Sequence, residues 1–281
     1  MRRVILLVLA VLLGGGGYLA AKAWLFPAPQ AVANQNLRPL TSAEQAVFLP
    51  LVCGGASAGS DGYAHDCASL PGYPSDDYGG AGLGLGITLT SITQGQLTGA
   101  GRDEAYVSYL GSFEPHVTNF GGGILFTRGA AGGWALAKWF PGASLDGCLS
   151  LSPQGRARFL CLKSYEGQGV ADTSLTVMQV GSAPRPVLAA TDLRASLNAE
   201  ANCGQVNAPS QAVLLALAGL RRTAVGFGVQ ATYVAAGTAA TACAAHAFAT
   251  APTQTATLTL TPDGDGFTLS PALTFAPVAA P

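Results

Sequence analysis

The chain contains little charge. Only 10% of its 281 residues are Asp, Glu, Lys or Arg, and the formal net charge is −1. An average protein carries about 25% of such residues. Because a nucleic-acid-binding surface needs clustered basic side chains to neutralise phosphates, the composition excludes nucleic acid as a partner.

The sequence has a single long apolar run, residues 4–21, which spans 18 residues without a charge and follows Arg2 and Arg3. This order is typical of an export segment. Residues 1–26 are predicted to be either a signal peptide cleaved after Ala23 or a membrane anchor helix, and the length of the run favours the anchor. Both interpretations place the rest of the chain outside the cytoplasm, anchored to the inner membrane, periplasmic or secreted.

Metal-binding cysteine motifs are missing as well, since no C-x-x-C occurs. The six cysteines are an even number in a chain predicted to be exported, which indicates disulfides. Sequence alone does not choose among the pairings, but the spacing favours neighbours. We predict no metal and no cofactor. The predicted disulfide pairs are Cys53 with Cys67, Cys148 with Cys161, and Cys203 with Cys243.

A proline-containing stretch, residues 27–40, is predicted to be an extended linker. Thr41 and Glu44 then form a capping box that begins a short helix, and Pro50 is expected to end or kink it near Leu49.

From residue 87 onward the apolar residues alternate with a period of two, which predicts strands. Residues 212–220 stay ambiguous, because a short run of alanines and leucines fits a helix as well as a strand. The predicted strands are 87–92, 105–110, 124–127, 134–139, 145–151, 156–162, 174–180, 225–234 (broken by its glycines), 255–260 and 267–269.

One predicted hairpin tests a disulfide. If Gln154-Gly155 forms its two-residue turn, Cys148 lies opposite Cys161 and Leu149 lies opposite Leu160. A turn shifted by one residue would leave the cysteines only diagonal neighbours. The register that joins the cysteines also gives the hairpin one apolar face, so we prefer it.

Residues 95–105, Gly-Gln-Leu-Thr-Gly-Ala-Gly-Arg-Asp-Glu-Ala, resemble the FG-GAP repeat of integrin-type β-propellers and exported bacterial proteins. The resemblance implies a loop between two strands of a propeller blade. In that family the loop carries polar calcium ligands, which Gln96, Thr98 and Ala100 replace here. Residues 147–180 share the turn and strand pattern, but a closed propeller needs at least four such units.

The predicted fold is therefore mainly β: antiparallel hairpins in a disulfide-stapled sandwich or partial propeller-like domain, with one or two short helices and the N-terminal signal or anchor helix. The β-rich domain is expected to cover residues 41–275. Residues 276–281 are expected to form a flexible tail.

Candidate binding residues lie in a polar loop between two predicted strands, at Glu114, His116 and Asn119, and in the hairpin at Trp134. Glu114 or His116 would suit acid–base chemistry. Ser57 lies in a G-x-S-x-G match, but the strand and helix that this motif needs around it are not predicted.

The sequence favours a non-enzymatic binding or envelope-associated module, with a protein or a glycan as its unidentified ligand. The alternative is an extracytoplasmic hydrolase that uses Ser57 or the loop of Glu114 and His116. A third hypothesis is glycan stacking on an exposed Trp134 or Trp139.

Overall fold

A computed structural model describes most of the chain after the predicted export segment. Residues 1–26, Ser57 and His116 lie outside the described residues. Within the described part, no helix is long and apolar enough to cross a bilayer. The described residues are 37–54, 59, 62–78, 85–115, 118–151, 157–167, 170–181, 185–186, 193–196, 203, 205–206, 208–264 and 266–277.

The described strands form three antiparallel sheets that follow one another along the chain. Sheet 1 has the order β1-β3-β4-β5-β6, with β2 also paired to β3. Its strands are β1 (Arg38–Pro39), β2 (Tyr63–Ala64), β3 (Ile87–Gly95), β4 (Glu104–Gly111), β5 (Gly121–Arg128) and β6 (Trp134–Pro141).

Sheets 2 and 3 repeat the same up-and-down connection. Sheet 2 consists of β7 (Cys148–Ser150), β8 (Arg158–Gly167), β9 (Val170–Gln179), β10 (Arg185–Pro186) and β11 (Arg194–Ser196), in the order β10-β9-β8-β7 with β11 also on β9. Sheet 3 consists of β12 (Val213–Thr223), β13 (Gly226–Val234), β14 (Gln254–Asp263) and β15 (Gly266–Ser270), in chain order.

Helices are few in the described part. They are α1 (Ser42–Val52), the four-residue α2 (Ser75–Tyr78), α3 (Ala236–Ala244) and a 3-10 turn (Phe248–Thr250).

The sheets are stacked face to face, and alternate side chains of one strand serve different cores. In β8, Phe159 and Cys161 belong to the core shared with sheet 1, whereas Leu160 belongs to the core shared with sheet 3. This follows from the two-residue period of a strand. Tyr106 of β4 and Met178 of β9 meet in the first of these cores.

Helices cover the two outer faces of the stack. Phe48 of α1 packs against Phe126 of sheet 1, with ring centroids 4.7 Å apart. At the other end, Ala239 and Ala242 of α3 share a core with Val213 of sheet 3. Each cover is stapled by a disulfide. Within the described residues the three sheets do not close into a propeller ring, and terminal covers of this kind end a stack in repeat architectures.

The three predicted disulfides are confirmed: Cys53–Cys67, Cys148–Cys161 and Cys203–Cys243. The predicted register is confirmed too, because Cys148 is opposite Cys161 and Leu149 is opposite Leu160. The turn residues Gln154-Gly155 lie outside the described residues.

Of the two outcomes expected at Pro50, an end of the first helix near Leu49 is not observed. The capping box of Thr41 and Glu44 is present, but α1 continues through Pro50 to Val52. Leu49 and Val52 are buried against sheet 1, and the Cys53 amide donates to the Leu49 carbonyl at 2.9 Å. Burial of this last turn outweighs the hydrogen bond that proline cannot make.

Three further segments can be compared with the sequence predictions. Of the ambiguous residues 212–220, all but Ala212 belong to β12, whose first residues contribute to the core shared with sheet 2 and to the core shared with α3, so the polar–apolar alternation is lost there. Two residues of the predicted linker form β1 and pair with β3. Ala276 of the expected tail is buried, and its amide donates to the Ala212 carbonyl at 2.8 Å.

Candidate functional site

The predicted loop after β4 holds Glu114 inside the protein. Its side chain is 3% exposed. The Tyr109 hydroxyl donates to Glu114 Oε1, and the Thr118 hydroxyl donates to Oε2 at 2.6 Å. One carboxyl oxygen therefore accepts a hydrogen bond from β4, and the other accepts one from the loop that follows β4.

Aromatic rings surround Glu114 and Tyr109. Trp139 meets Tyr109 edge to face with ring centroids 5.1 Å apart, and Phe113 stacks on Tyr109 at 6.0 Å. Burial raises the pKa of Glu114, although the hydrogen bonds from Thr118 and Tyr109 lower it in part. Burial also raises the pKa of Tyr109, and the Glu114 charge adds to that rise. The arrangement joins a loop to sheet 1 through buried hydrogen bonds.

Asn119 serves a different contact from Glu114. Its backbone is left-handed, with φ of 54°, a conformation that asparagine tolerates better than most residues. Its side-chain amide donates to the Ser164 carbonyl of β8 at 2.9 Å, which ties the loop to sheet 2. The structure therefore does not bring Glu114 and Asn119 together as one site.

In the β5–β6 hairpin Trp139 is buried and Trp134 is half-buried. Trp134 lies 5.5 Å from Phe48 of α1 between ring centroids, and the Arg128 guanidinium lies over the ring at 5.5 Å. Trp139 is 3% exposed and donates through Nε1 to the Pro71 carbonyl at 2.8 Å. The expectation of an exposed Trp139 was wrong, because the aromatic cluster of Tyr73, Tyr109 and Phe113 closes over it.

The loop that resembles an FG-GAP repeat is organised by a carboxylate. Glu104, at the start of β4, is fully buried. It accepts hydrogen bonds from the amide and the hydroxyl of Thr98, at 2.7 and 2.6 Å, and Arg102 lies 3.4 Å away. Glu104 therefore holds the described loop through its hydrogen bonds with Thr98. Thr98 stands at a position where the FG-GAP family has a calcium ligand.

A polar cluster between sheets 1 and 2 was not predicted. Asp146, in the β6–β7 connection, accepts from the hydroxyls of Thr90 at 2.7 Å, Ser91 at 2.6 Å and Ser144 at 2.9 Å. Lys163 of β8 donates to the Ser144 carbonyl. The residues of this cluster come from distant parts of the chain, so no local sequence motif predicts it.

Lys163 is the perturbed base of this cluster. Burial lowers its pKa to about 8, against the opposing effect of the Asp146 charge. A serine nucleophile activated by this lysine would need its hydroxyl beside the amine. Here Lys163 contacts the Ser144 carbonyl, while the Ser144 hydroxyl accepts from the Asp146 amide at 3.0 Å and donates to the Asp146 carboxylate. The cluster therefore connects sheets 1 and 2 through hydrogen bonds.

A cavity of about 350 Å³ opens between sheets 2 and 3. Arg158 of β8 and Arg222 of β12 line it, together with the rings of Phe227 and Phe267. The adjacent arginines 221 and 222, in a chain poor in charge, were the available sequence signal. Arg158 comes from another sheet and could not have been paired with them from spacing.

Arg222 is held in position at this cavity. Its guanidinium carbon lies 5.4 Å from the centroid of the Phe227 ring, and Nη2 donates to the Ser150 carbonyl. Phe227 and Phe267 meet edge to face with centroids 5.9 Å apart. The cavity thus combines an oriented cation, Arg222, with an aromatic wall.

Among the described residues, no group of three or more His, Cys, Asp and Glu side chains is arranged to hold a metal ion.

Comparison of the chain with protein-family models, with curated proteins and with solved structures finds no match.

Proposed function

We propose that this protein is a non-enzymatic binding module that works outside the cytoplasm, tethered to the inner membrane or free in the periplasm. The three disulfides are compatible with that compartment. The stacked sheets, capped by helices, supply a rigid scaffold for a ligand site.

The observation that carries the proposal is the cavity between sheets 2 and 3. The charged groups among its described lining residues are the guanidiniums of Arg158 and Arg222. A guanidinium binds and orients anions but is a poor acid, base or nucleophile, so the cavity suits recognition better than turnover. Glu114, the acid that would suit catalysis, is enclosed by Tyr109 and Thr118 instead.

The alternative is hydrolysis at Ser57 or at the loop of Glu114 and His116. A fluorophosphonate probe, which reacts with activated serines, separates the two functions. We expect no stoichiometric labelling of the purified full chain. Stoichiometric labelling that disappears in Ser57→Ala would replace the proposal with the hydrolase. Turnover of chromogenic esters or glycosides that is lost in Glu114→Gln or His116→Gln would do the same.

The compartment has its own test. Protein isolated from its native host is alkylated before and after reduction, and its mass is measured. We expect all six cysteines to react only after reduction, because the export proposal requires an oxidising space. N-terminal sequencing of the same sample distinguishes a retained anchor, which keeps residue 2, from a chain that begins at Trp24 after cleavage.

A further inference from the structure

We infer that the cavity between sheets 2 and 3 binds one small molecule that carries an aromatic ring. This inference rests on the binding function proposed above and adds the chemical class of the ligand.

A bulge in β12 turns Arg222 toward the cavity. Leu217 is paired with Ala231 and Arg222 with Phe227, so an advance of five residues along β12 matches an advance of four along β13. Successive side chains of a strand point to opposite faces, so without the extra residue Arg222 would lie on the face opposite to Phe227. Gly219 lies within the bulge with φ of 65°, a left-handed conformation that glycine adopts at such bulges.

The same bulge keeps the neighbouring Arg221 out of the cavity. Arg221 is paired with Gly228, and a Cβ atom at Gly228 would lie 3.7 Å from the Arg221 guanidinium carbon. Bulges re-aim side chains and are over-represented beside active sites. Of two adjacent arginines, the strand therefore presents one to the cavity and the other to the opposite face of sheet 3.

Arg222 offers a guanidinium whose orientation is fixed before a ligand arrives. The side chain is exposed at the cavity, its guanidinium lies over the Phe227 ring at 5.4 Å, and Nη2 donates to the Ser150 carbonyl. A guanidinium stacks on aromatic rings, which attract cations to their faces. Because Arg222 is already oriented, little side-chain freedom is lost when a second ring contacts it.

The aromatic wall favours a ring over an aliphatic group. Phe227 and Phe267 line the cavity and meet edge to face, with ring centroids 5.9 Å apart and an interplanar angle of 75°. Ring faces are negative and ring edges are positive, so a third ring can extend this edge-to-face arrangement, whereas a saturated ring lacks that charge distribution. These contacts and the stacking on Arg222 act on a neutral ring, so the preference does not depend on the net charge of the cavity lining.

The volume and the exposed apolar surface of the cavity suit a single ring. Val225 is 63% exposed, the highest value among the large apolar residues that stay exposed in the described part, and it lines the cavity together with Leu151. Exposed apolar surface next to a groove is a mark of a binding site. The volume of about 350 Å³ lies near the lower end of the roughly 300–1,000 Å³ typical of small-molecule sites. The ligand is therefore one aromatic ring with a small substituent.

A competition experiment followed by fluorine NMR tests the inference on the full chain in lipid nanodiscs, with empty nanodiscs as the blank for partitioning into lipid. The observed probe is 4-fluorobenzamide. The competitors are benzamide and cyclohexanecarboxamide, which share a neutral amide and differ in the ring. We expect benzamide to displace the probe at a concentration at least about threefold lower than cyclohexanecarboxamide does.

A pair of phenylalanine variants tests the aromatic wall. Phe267→Leu should lower the affinity for benzamide by about 2- to 10-fold, the usual range for an aromatic pair, and should leave the affinity for cyclohexanecarboxamide nearly unchanged. Phe275→Leu is the matched control, since Phe275 is buried in the same core, meets Tyr233 edge to face and does not line the cavity. It should leave both affinities unchanged.

A pair of arginine variants tests the guanidinium. Arg222→Gln should lower the affinity for benzamide by about 2- to 5-fold, the usual range for a cation–π contact at an exposed site. Arg221→Gln is the matched control, since Arg221 is exposed on the opposite face of sheet 3 and does not line the cavity. It should leave the affinity unchanged.

Equal displacement by benzamide and cyclohexanecarboxamide would overturn the aromatic assignment, as would equal losses in a variant and its matched control or no binding of the probe at millimolar concentration. If Phe267→Leu or Arg222→Gln does not fold, the comparison of the two competitors on the unmodified chain decides. Release of benzoate from benzamide would refute the non-enzymatic function while leaving the aromatic site in place.

Discussion

Lys163 makes the stability of this protein depend on pH in a direction that can be calculated. Its ammonium group is half-buried between sheets 1 and 2 and donates to the Ser144 carbonyl. Burial lowers the pKa of Lys163 to about 8 in the folded state. In the unfolded chain a lysine has a pKa of about 10.4.

The sign follows from proton counting. Below pH 8 both states carry the proton, and the folded state bears the full cost of a partly desolvated charge. As pH rises through 8 the folded state loses the proton while the unfolded state keeps it until about pH 10.4, so stability increases. Between pH 7 and pH 9.5 linkage gives a gain of about 2 kcal/mol in the free energy of unfolding.

The assay is urea unfolding of the full chain at several pH values in that window, followed by tryptophan fluorescence. Lys163→Met removes the titrating group at similar length and should lose the gain of about 2 kcal/mol. Lys138→Met is the matched control: Lys138 is exposed over the Phe140 ring at 5.1 Å, and its replacement should keep the gain. The window ends below pH 10, because burial raises the pKa of Tyr106 and would reverse the trend above it.

The reasoning is refuted if Lys163→Met and the unmodified protein gain the same stability from pH 7 to pH 9.5. It is also refuted if Lys138→Met loses the gain. The absolute stability of Lys163→Met at pH 7 does not enter, since that substitution removes a hydrogen bond as well as a charge.

Two further predictions concern the loop after β3 and the central hairpin. Thr98→Val removes one of the donors to buried Glu104 and should lower the free energy of unfolding by about 2 kcal/mol, whereas Arg102→Gln, at a side chain 55% exposed, should cost roughly 0.5 kcal/mol or less in the same urea titration. Equal losses would contradict the role of the acid. Replacing Cys148 and Cys161 together by alanine opens a loop with a sequence separation of 13 and should cost about 3 kcal/mol. An unchanged urea midpoint would show that the register alone holds the hairpin.

Local signals in the sequence were sufficient for elements that depend on near neighbours. The capping box of Thr41 and Glu44 and the register of Cys148 opposite Cys161 both follow from spacing, because helix caps and tight hairpins are made by residues a few positions apart. The candidate binding residues were chosen because they are polar residues of one loop, and their positions could not be predicted. Glu114 is buried in the core, and Asn119 donates a hydrogen bond to sheet 2. The sequence of a loop does not specify the direction in which its polar side chains point.

By itself the sequence determined a mainly β chain with its hairpins, because periodicity encodes them, and the short-range spacing of the cysteines favoured the three observed disulfides without fixing them. Only the tertiary structure decided how the three sheets stack, that residues 213–220 form a strand, and which polar side chains come together between sheets. Asp146 accepts hydrogen bonds from Thr90 and Ser91 between sheets 1 and 2. Arg158 of sheet 2 and Arg222 of sheet 3 line the same cavity. Such contacts depend on how the three sheets pack against one another, which no single segment of the sequence specifies.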